Sequence, residues 1–551
     1  MKYYADFETT AFDKEKGVRI YLWCIVSEEI KQHGYEMDSF INFCKALNKG
    51  DIIYFHNLKF DFSFIHYYLI KNDIDYGVLE KDGIYYNVRF YDIEIRDSTN
   101  FLPMSLKEVG ENYCVNFKKT SIDYEVPFEH EATQGEIDYC YNDCFVLMEG
   151  LNNYFKALEE VLEKAECKKT IKQLPKKLTN AGIAFQAFKE LSIFEFVCPK
   201  TTSTQYRKFR GAYRGGYVYS RPNGILKNLK MIDCNSMYPH IYSTIPLPFG
   251  KGYNISENDK SQYNFYITNI YIRYDLKKGY IPIIGGGVSR YGGIEYKTSS
   301  NGEYEEYTFC NIDLELIRDF YDCDIIYNWV YAFDTKPYFF KEYAHTFVKM
   351  KNEYKGIKRA VVKVLLNSPY GKTAMNGLQE VKRYYIDPND NIVKSEITGY
   401  EVDNNAFQYL PMAIAITAGA RRLLLRTAEK IGFENVYYMD TDSIKFTGEL
   451  PTNIEIDNDK LGAWKLEGIA ELFKTIAPKK YCYFENNKIY FTCAGFNKKV
   501  LISELKHAQE VTKKEAIELM QRFDINLELE CLQSKKVQGG RALIPIKKEI
   551  K

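Results

Sequence analysis

Two short stretches decide the fold of this chain: Asp233-Cys234-Asn235-Ser236-Met237-Tyr238-Pro239 and, much further along, Asp440-Thr441-Asp442. Each begins directly after an apolar run, Met231-Ile232 in one case and Tyr437-Tyr438-Met439 in the other. A carboxylate at the end of a buried strand is costly unless a partner neutralises it. The aspartates of the second stretch alone are weak evidence, because hairpin turns favour aspartate. Together the two stretches predict one divalent-metal site shared between distant segments.

Between them lies Lys363-Val364-Leu365-Leu366-Asn367-Ser368-Pro369-Tyr370-Gly371, preceded by a basic run from Lys349 to Arg359 that includes Lys351. Lys363, Asn367 and Tyr370 recur at spacings of four and three, which predicts that they share one helix face. A cation, an amide and an aromatic ring on one face suit a triphosphate, a sugar and a base, although an ordinary amphipathic helix has the same pattern. A phosphate-binding P-loop ending at Gly371-Lys372-Thr373 is excluded, since the required earlier glycine is Leu366.

The first part of the chain carries a separate set of acidic residues. Asp6 and Glu8 alternate on a predicted strand, Asp61 begins a predicted helix, and Tyr139 and Asp143 are spaced to share a helix face. Any one carboxylate is most simply a solvated surface charge. As a set, however, four carboxylates and a tyrosine at one sheet edge would repel one another unless cations were bound. Two Mg²⁺ ions there would serve phosphodiester hydrolysis.

Two further segments combine basic and aromatic residues: Tyr213-Arg214-Gly215-Gly216 and Lys479-Lys480-Tyr481. Bare glycine backbone lets a phosphate approach closely, and a ring beside a cation suits a nucleic-acid strand. Taken alone, each is equally well a turn or a surface patch.

Composition limits the possible classes of protein. The chain has 551 residues, with 74 basic and 74 acidic side chains, which excludes a uniformly cationic protein but allows a local nucleic-acid channel. Its 13 cysteines include no C-x-x-C pair, so we expect reduced thiols. The N-terminus has no apolar signal core and no stretch is apolar enough to span a bilayer, so we expect a soluble intracellular protein.

The pattern along the chain predicts several domains. The first 150 residues look α/β, with a helix at 135–155, and 250–335 looks mostly β. A basic helical region at 336–375 precedes a polar hairpin at 376–410, a helix at 411–432 and a hairpin at 436–446.

With these motifs in this order, the chain resembles family B DNA polymerases of the protein-primed type, which small phages with linear genomes encode. The resemblance covers essentially the whole chain. It implies a multidomain α/β and α+β fold, in which an RNase H-like 3′→5′ exonuclease domain precedes a right-hand polymerase with two insertions. The implied domains are the exonuclease (1–172), the first part of the palm (173–245), an insertion contacting the terminal protein (246–338), the fingers (339–375), an insertion for processivity and strand displacement (376–410), the second part of the palm (411–504) and a small thumb (505–551).

The resemblance also implies roles for individual residues. In the exonuclease site, metal ions would be held by Asp6, Glu8, Asp61 and Asp143, with Tyr139 orienting the attacking water and Lys119 assisting. The frayed primer strand would be held by Thr9, Asn57, Phe60 and Ser98.

In the polymerase site, Asp233 and Asp442 would hold metal ions, with Asp440 beside them. Tyr238 would exclude a 2′-hydroxyl, while the nucleotide would further contact Lys351, Lys363, Asn367 and Tyr370. DNA would contact Tyr213, Gly215, Gly216, Lys479 and Tyr481. One residue departs from the family pattern: Pro369 stands where an apolar non-proline residue is usual, and should kink or end the helix.

The function implied is protein-primed, DNA-directed DNA polymerisation with 3′→5′ proofreading and strand displacement, replicating a linear viral genome. Two Mg²⁺ or Mn²⁺ ions at each active site would be the cofactors. The partners would be template and primer DNA, deoxynucleotides and a terminal protein, for a monomer without membrane contact in the cytoplasm of an infected bacterium. Rival readings are a stand-alone exonuclease, which the pair Asp233 and Asp442 opposes, and a catalytically inactive scaffold or single-strand-binding protein. The latter predicts substituted carboxylates, and none of the acidic residues above is substituted.

Overall fold

The computed structural model describes residues 1–121, 126–288, 294–403, 406 and 408–550. Parts of the two expected insertions, at 289–293, 404–405 and 407, therefore lie outside the described residues. Over the described ranges, no helix is both long enough and apolar enough to cross a bilayer. The cysteines are unpaired thiols, most of them buried, as their spacing predicts.

The N-terminal domain is built on a seven-stranded mixed sheet with the order β3-β2-β1-β4-β7-β6-β5. Its central strands β1, β4 and β7 are parallel, whereas the remaining pairs are antiparallel. The completely apolar strand β2 is buried along its whole length, which places it between two packed layers. The strands are β1 (Lys2–Thr9), β2 (Ile20–Val26), β3 (Lys31–Gly34), β4 (Ile52–Phe55), β5 (Tyr76–Lys81), β6 (Ile84–Phe90) and β7 (Ile93–Asp97).

Helices cover both faces of this sheet, and the longest of them crosses β1 and β2. It begins at a capping box between Thr133 and Glu136 and continues well beyond the predicted end at residue 155, because strong helix formers follow. The helices are α1 (Met37–Ala46), α2 (Leu58–Lys71), α3 (Leu106–Tyr113), α4 (Gln134–Lys164) and α5 (Lys168–Gln173).

A second region opens with helices that lead into an antiparallel sheet. Its first elements are α6 (Asn180–Glu190), α7 (Phe194–Val197), α8 (Ser203–Phe209), β8 (Val218–Ser220), β9 (Leu226–Cys234) and α9 (Met237–Thr244). The predicted β-rich segment follows, and forms a four-stranded sheet, β10-β15-β11-β14, with a small hairpin. It comprises β10 (Leu247–Ile255), β11 (Phe265–Leu276), β12 (Ile284–Val288), β13 (Ile294–Lys297), β14 (Glu305–Cys310), α10 (Asn311–Phe320) and β15 (Tyr321–Lys336).

The predicted basic helical region and polar hairpin come next: α11 (Lys341–Glu353), α12 (Gly356–Asn367), α13 (Pro369–Thr373), β16 (Leu378–Ile386) and β17 (Val393–Val402). Helix α12 ends at Asn367, and Pro369 starts the separate short helix α13. Proline cannot donate to the preceding turn, so the break is the one expected at this residue. The expectation that Tyr370 shares a helix face with Lys363 and Asn367 is therefore wrong.

The chain then returns to the second sheet, whose order is β22-β21-β20-β9-β19-β18-β8. The returning elements are α14 (Leu410–Ile431), β18 (Val436–Asp440), β19 (Ser443–Phe446), β20 (Trp464–Ala477), β21 (Lys480–Glu485) and β22 (Lys488–Cys493). Helix α14 packs closely on α9, since a Cβ at Gly419 would lie 2.8 Å from Ile241. The last elements are α15 (Lys498–Leu505), α16 (Lys513–Arg522) and the hairpin of β23 (Glu528–Val537) and β24 (Gly540–Glu549).

Candidate active sites

The two stretches that opened the sequence analysis meet on neighbouring strands of the second sheet. Strand β9 pairs with β19 so that Asp233 lies opposite Ser443, and the Cys234 N–H donates to the Asp442 carbonyl at 2.8 Å. Between the two aspartates of the hairpin, Thr441 adopts a left-handed backbone conformation with φ 59°. The fold therefore brings Asp233, Asp440 and Asp442 to one end of the sheet.

Burial and mutual repulsion govern the charge of these carboxylates. Burial raises the pKa of Asp233 to about 7, with Asp442 and Glu467 adding to the shift and Lys445 and Lys363 opposing it. Burial also raises the pKa of Asp442, again with Glu467 contributing. Two partly buried carboxylates that repel each other are a donor set that fits a divalent cation. Glu467, on strand β20, was missed because nothing in its local pattern marks it.

Asp440 has a different environment, set by the Lys479-Lys480-Tyr481 segment. Lys479 donates to both of its carboxylate oxygens, at 2.7 and 3.1 Å. The Tyr438 hydroxyl donates to Asp440 at 3.2 Å and accepts from the Lys479 N–H at 3.1 Å. Tyr481 packs on Tyr438, with their ring centroids 4.7 Å apart. Both residues predicted from this segment therefore lie beside the carboxylates.

A pair of stacked tyrosines stands next to the same carboxylates. The rings of Tyr238 and Tyr370 are nearly parallel, with centroids 4.4 Å apart and planes at 20°. Tyr370 belongs to α13, and burial together with Tyr238 raises the pKa of its hydroxyl, with a smaller contribution from Asp442. Lys351 donates to the Ser236 hydroxyl at 3.2 Å. The fold thus assembles these residues around Asp233 by tertiary packing rather than along one helix.

The two remaining nucleotide-binding residues predicted for this region, Lys363 and Asn367, both lie on α12. The exposed Lys363 contributes to the electrostatics of Asp233 and Asp442. Asn367 is partly buried at the last turn of α12. No contact of Asn367 with the carboxylates is observed, and its predicted role stays a prediction.

The segment from Tyr213 to Gly216 is held against the hairpin. A Cβ at Gly216 would lie 2.5 Å from the Thr441 hydroxyl oxygen, so only glycine fits there. Buried Arg421 donates to the carbonyl oxygens of Arg214 and Gly215, at 2.6 and 2.9 Å, and forms a bidentate ion pair with buried Asp313. Arg421 and Asp313 were not predicted, because the contact depends entirely on tertiary packing.

The acidic residues of the N-terminal domain form a second cluster. Asp6 and Glu8 lie on β1, Asp61 in the first turn of α2 and Asp143 on α4. Burial raises the pKa of Asp6 to about 7, with Asp143 adding to the shift and Lys119 opposing it. Burial and the neighbouring carboxylates likewise raise the pKa values of Glu8 and Asp61 well above normal. Four carboxylates are therefore together, as predicted.

One atom of this cluster fits a bound cation. Asp143 is 1% exposed, and its Oδ1 has no hydrogen-bond partner among the described residues. Its other oxygen accepts from Lys119, which also donates to the Tyr139 hydroxyl at 2.8 Å. A buried carboxylate oxygen without a donor is costly, and a metal ion would satisfy it. Cys140 is a neighbour the sequence did not suggest: its thiol lies within 4.8 Å of an oxygen of Asp6 and of Glu8.

Three of the predicted strand-binding residues, Thr9, Asn57 and Phe60, lie on or beside β1 and α2, which carry part of this cluster. Thr9 ends β1, Asn57 precedes α2 in a left-handed conformation with φ 67°, and Phe60 packs on Phe64. Ser98 accepts or donates a hydrogen bond at 2.8 Å with His56, a residue that was not predicted.

Comparison with known proteins places this architecture in a family. The family model described as DNA polymerase type B, organellar and viral, matches residues 44–133 and 126–449. The DNA polymerase of Bacillus phage phi29 is 30% identical over 528 residues, which cover 87% of this chain and 86% of the relative.

Two solved structures of phi29 DNA polymerase cover 100% of both chains at 25% identity. One is in complex with single-stranded DNA, with a TM-score of 0.85. The other is in complex with primer-template DNA and incoming nucleotides, with a TM-score of 0.84. The predicted multidomain fold is thereby confirmed, and the chain belongs to the type B DNA polymerases of organelles and viruses.

Proposed function

We propose that this DNA polymerase is primed by a protein, proofreads its product with a 3′→5′ exonuclease and displaces the non-template strand to replicate a linear viral genome. The observation that carries the proposal is the presence of two separate carboxylate clusters on two separate sheets of one chain. A stand-alone exonuclease needs only the N-terminal cluster, and an inactive scaffold needs neither.

Nucleotide addition is assigned to the second sheet. Asp233 and Asp442 would hold two Mg²⁺ or Mn²⁺ ions, whose chemistry is to neutralise phosphate charge and activate an oxygen nucleophile. Lys351 and Lys363 would bind the triphosphate as cations. The stacked rings of Tyr238 and Tyr370 would define the sugar and base pocket, and so exclude a 2′-hydroxyl. Catalysis then consists mostly of positioning and charge stabilisation.

Proofreading is assigned to the N-terminal cluster, where Asp6, Glu8, Asp61 and Asp143 would hold a second pair of ions. Tyr139, fixed by Lys119, would orient the attacking water. Phe60 and its neighbours would hold the frayed strand by stacking. The unsatisfied Asp143 oxygen supports this assignment.

Strand displacement and processivity are assigned to the hairpin of β16 and β17. Lys382 of this hairpin forms an ion pair with half-buried Glu80 of the N-terminal domain at 2.9 Å. Lys536, near the tip of the C-terminal hairpin, donates to the Val393 carbonyl at 2.9 Å. The tip of the C-terminal hairpin also contacts the N-terminal domain, because the Val18 N–H donates to the Gln538 carbonyl at 3.1 Å. Such a closed set of contacts would enclose a duplex and narrow the passage for the template.

Protein priming is assigned to the β-rich segment at 246–338, as the surface for a terminal protein. The test is co-expression with the product of a neighbouring gene, followed by incubation with one labelled deoxynucleotide. Nucleotide covalently attached to that protein supports priming. Extension of a DNA primer without any such attachment would leave a polymerase with a different mode of initiation.

A further inference from the structure

The segment that carries Lys119 is short and irregular, yet Lys119 must be held accurately to contact both Asp143 and Tyr139. The segment runs from Cys114, at the end of α3, to Lys119, and has no regular secondary structure of its own. Its order therefore depends on contacts made by other elements.

Helix α4 supplies a carboxylate at the centre of this segment. Glu149 accepts hydrogen bonds from three consecutive backbone N–H groups: that of Val115 at 2.9 Å, that of Asn116 at 3.1 Å and that of Phe117 at 3.1 Å. It also accepts from the Asn116 side-chain amide at 3.0 Å. These N–H bonds lower its pKa against the opposing effect of burial, so the group is ionised and each bond is charge-assisted.

The same helix also contacts the segment at two positions N-terminal to Glu149. Asn142, adjacent to Asp143, donates from its side-chain amide to the Lys118 carbonyl at 2.8 Å. Phe145 stacks on Phe117, with their centroids 5.0 Å apart and planes at 13°. One face of α4 thus fixes the backbone up to the residue before Lys119, while the same helix carries Asp143 and Tyr139.

We propose that Glu149 is a positioning residue of the exonuclease site, which folds the 114–118 segment so that Lys119 reaches Asp143 and Tyr139. This inference rests on the proposed exonuclease function. Glu149 itself touches none of the carboxylates of the cluster in the described contacts, so its effect must pass through Lys119.

A double-mutant cycle tests the proposal, because residues that act through one another have non-additive effects. The variants are Glu149→Ala, Lys119→Ala and the combination, with Glu159→Ala, exposed on the same helix, as the matched control. Steady-state degradation of a 5′-labelled single-stranded oligonucleotide with Mg²⁺, at varied oligonucleotide concentration, gives kcat and KM. Extension of a primed template by the same preparations reports whether the protein is folded.

We expect Glu149→Ala to lower kcat for degradation on the order of tenfold to a hundredfold, the range that misplacement of a catalytic group by about 1 Å produces. KM and primer extension should stay unchanged, and the loss should disappear in the Lys119→Ala background. Amide hydrogen exchange at Val115, Asn116 and Phe117 should be faster in Glu149→Ala. Glu149→Gln, which keeps one oxygen acceptor, should lose less.

Distinct outcomes separate the two proposals. Degradation that persists when Asp6 and Glu8 are both replaced by alanine, or its absence in the wild-type enzyme, would overturn the proposed exonuclease assignment and this inference with it. Degradation at the wild-type rate by Lys119→Ala would overturn the positioning role alone. Lys119→Ala should itself slow degradation. If it does, but Glu149→Ala causes no loss of kcat, or a loss that adds fully to that of Lys119→Ala, the positioning role alone is overturned. If Glu149→Ala loses both degradation and primer extension, Glu149→Gln replaces it in the double-mutant cycle. A loss of kcat that disappears in the Lys119→Ala background then supports the positioning role, and an additive loss overturns it.

Discussion

Lys479 donates from its Nζ to both carboxylate oxygens of Asp440, at 2.7 and 3.1 Å. Burial raises the pKa values of Asp233 and Asp442, and neighbouring carboxylates add to both shifts. The three aspartates at this end of the sheet therefore have different neighbours. We expect Asp233 and Asp442 to be the pair that binds cations, with Asp440 held in place by the lysine.

Replacing Asp233 by alanine should remove polymerisation and protein priming but keep the exonuclease. Loss of a metal-site carboxylate should cost several kcal/mol of transition-state stabilisation, on the order of a thousandfold in rate. Single-nucleotide incorporation on a primed template measures the loss. A variant within tenfold of wild type would refute the assignment.

The double substitution of Asp6 and Glu8 by alanine should have the reverse effect. The two clusters use different carboxylates on different sheets, so single-strand degradation should be abolished while primer extension stays nearly intact. Asp138→Ala, an exposed position on α4, is the control. Equal collapse of extension would show that the two activities are not separable.

Tyr238→Val should admit ribonucleotides, because the ring would occupy the space of a 2′-oxygen. The substitution also removes the stacking partner of Tyr370 but no charged group. Single-turnover incorporation of matched ribo- and deoxynucleotides measures the discrimination, with the exposed Tyr385→Val as control. Unchanged discrimination would point to another residue as the gate.

Deleting 376–410 should make the enzyme distributive and unable to displace a strand. The deletion removes Lys382 and Val393, which contact the N-terminal domain and the C-terminal hairpin. Because it removes no predicted active-site group, extension across a short gap should stay near normal. Primer extension on a long circular template, with free enzyme trapped after one binding event, should give shortened products. Products of wild-type length would contradict the enclosing role.

His56 should make the N-terminal domain sensitive to acid. Burial, with Lys119 contributing, lowers its pKa to about 4 from an ordinary value near 6.5. At His56 the unfolded chain therefore binds more protons between these values, so the contribution of His56 to stability falls as the pH drops from about 6.5 towards 4. Asp6, Glu8 and Asp61, whose pKa values are raised, contribute with the opposite sign, so the comparison with a His56 variant isolates this contribution. Between pH 7 and pH 5 the loss should be about 2 kcal/mol. His56→Asn should lack this loss in denaturation followed by tryptophan fluorescence, whereas an NMR titration of His56 near 6.5 would contradict it.

Much of the molecule could be predicted because local signals are strong. The aspartates after apolar strands, the alternating Asp6 and Glu8, and the hairpin at 436–446 each reflect a short-range pattern, and the structure has them as expected. Pro369 likewise ends its helix for a purely local reason, the missing N–H. The prediction that Tyr370 shares a helix face with Lys363 and Asn367 nevertheless failed, because it assumed that the helix continues across that break.

The sequence by itself determined which residues are candidates for the chemistry, because carboxylates at strand ends are costly wherever no cation is bound. Tertiary structure alone decided how these residues are held: Lys479 on Asp440, Arg421 on the Arg214 and Gly215 carbonyls, and Glu149 beneath the segment of Lys119. Each of these contacts joins residues far apart in the chain, and a side chain that satisfies a distant backbone leaves no periodic pattern in its own neighbourhood. Such contacts exist only once the strands and helices have packed.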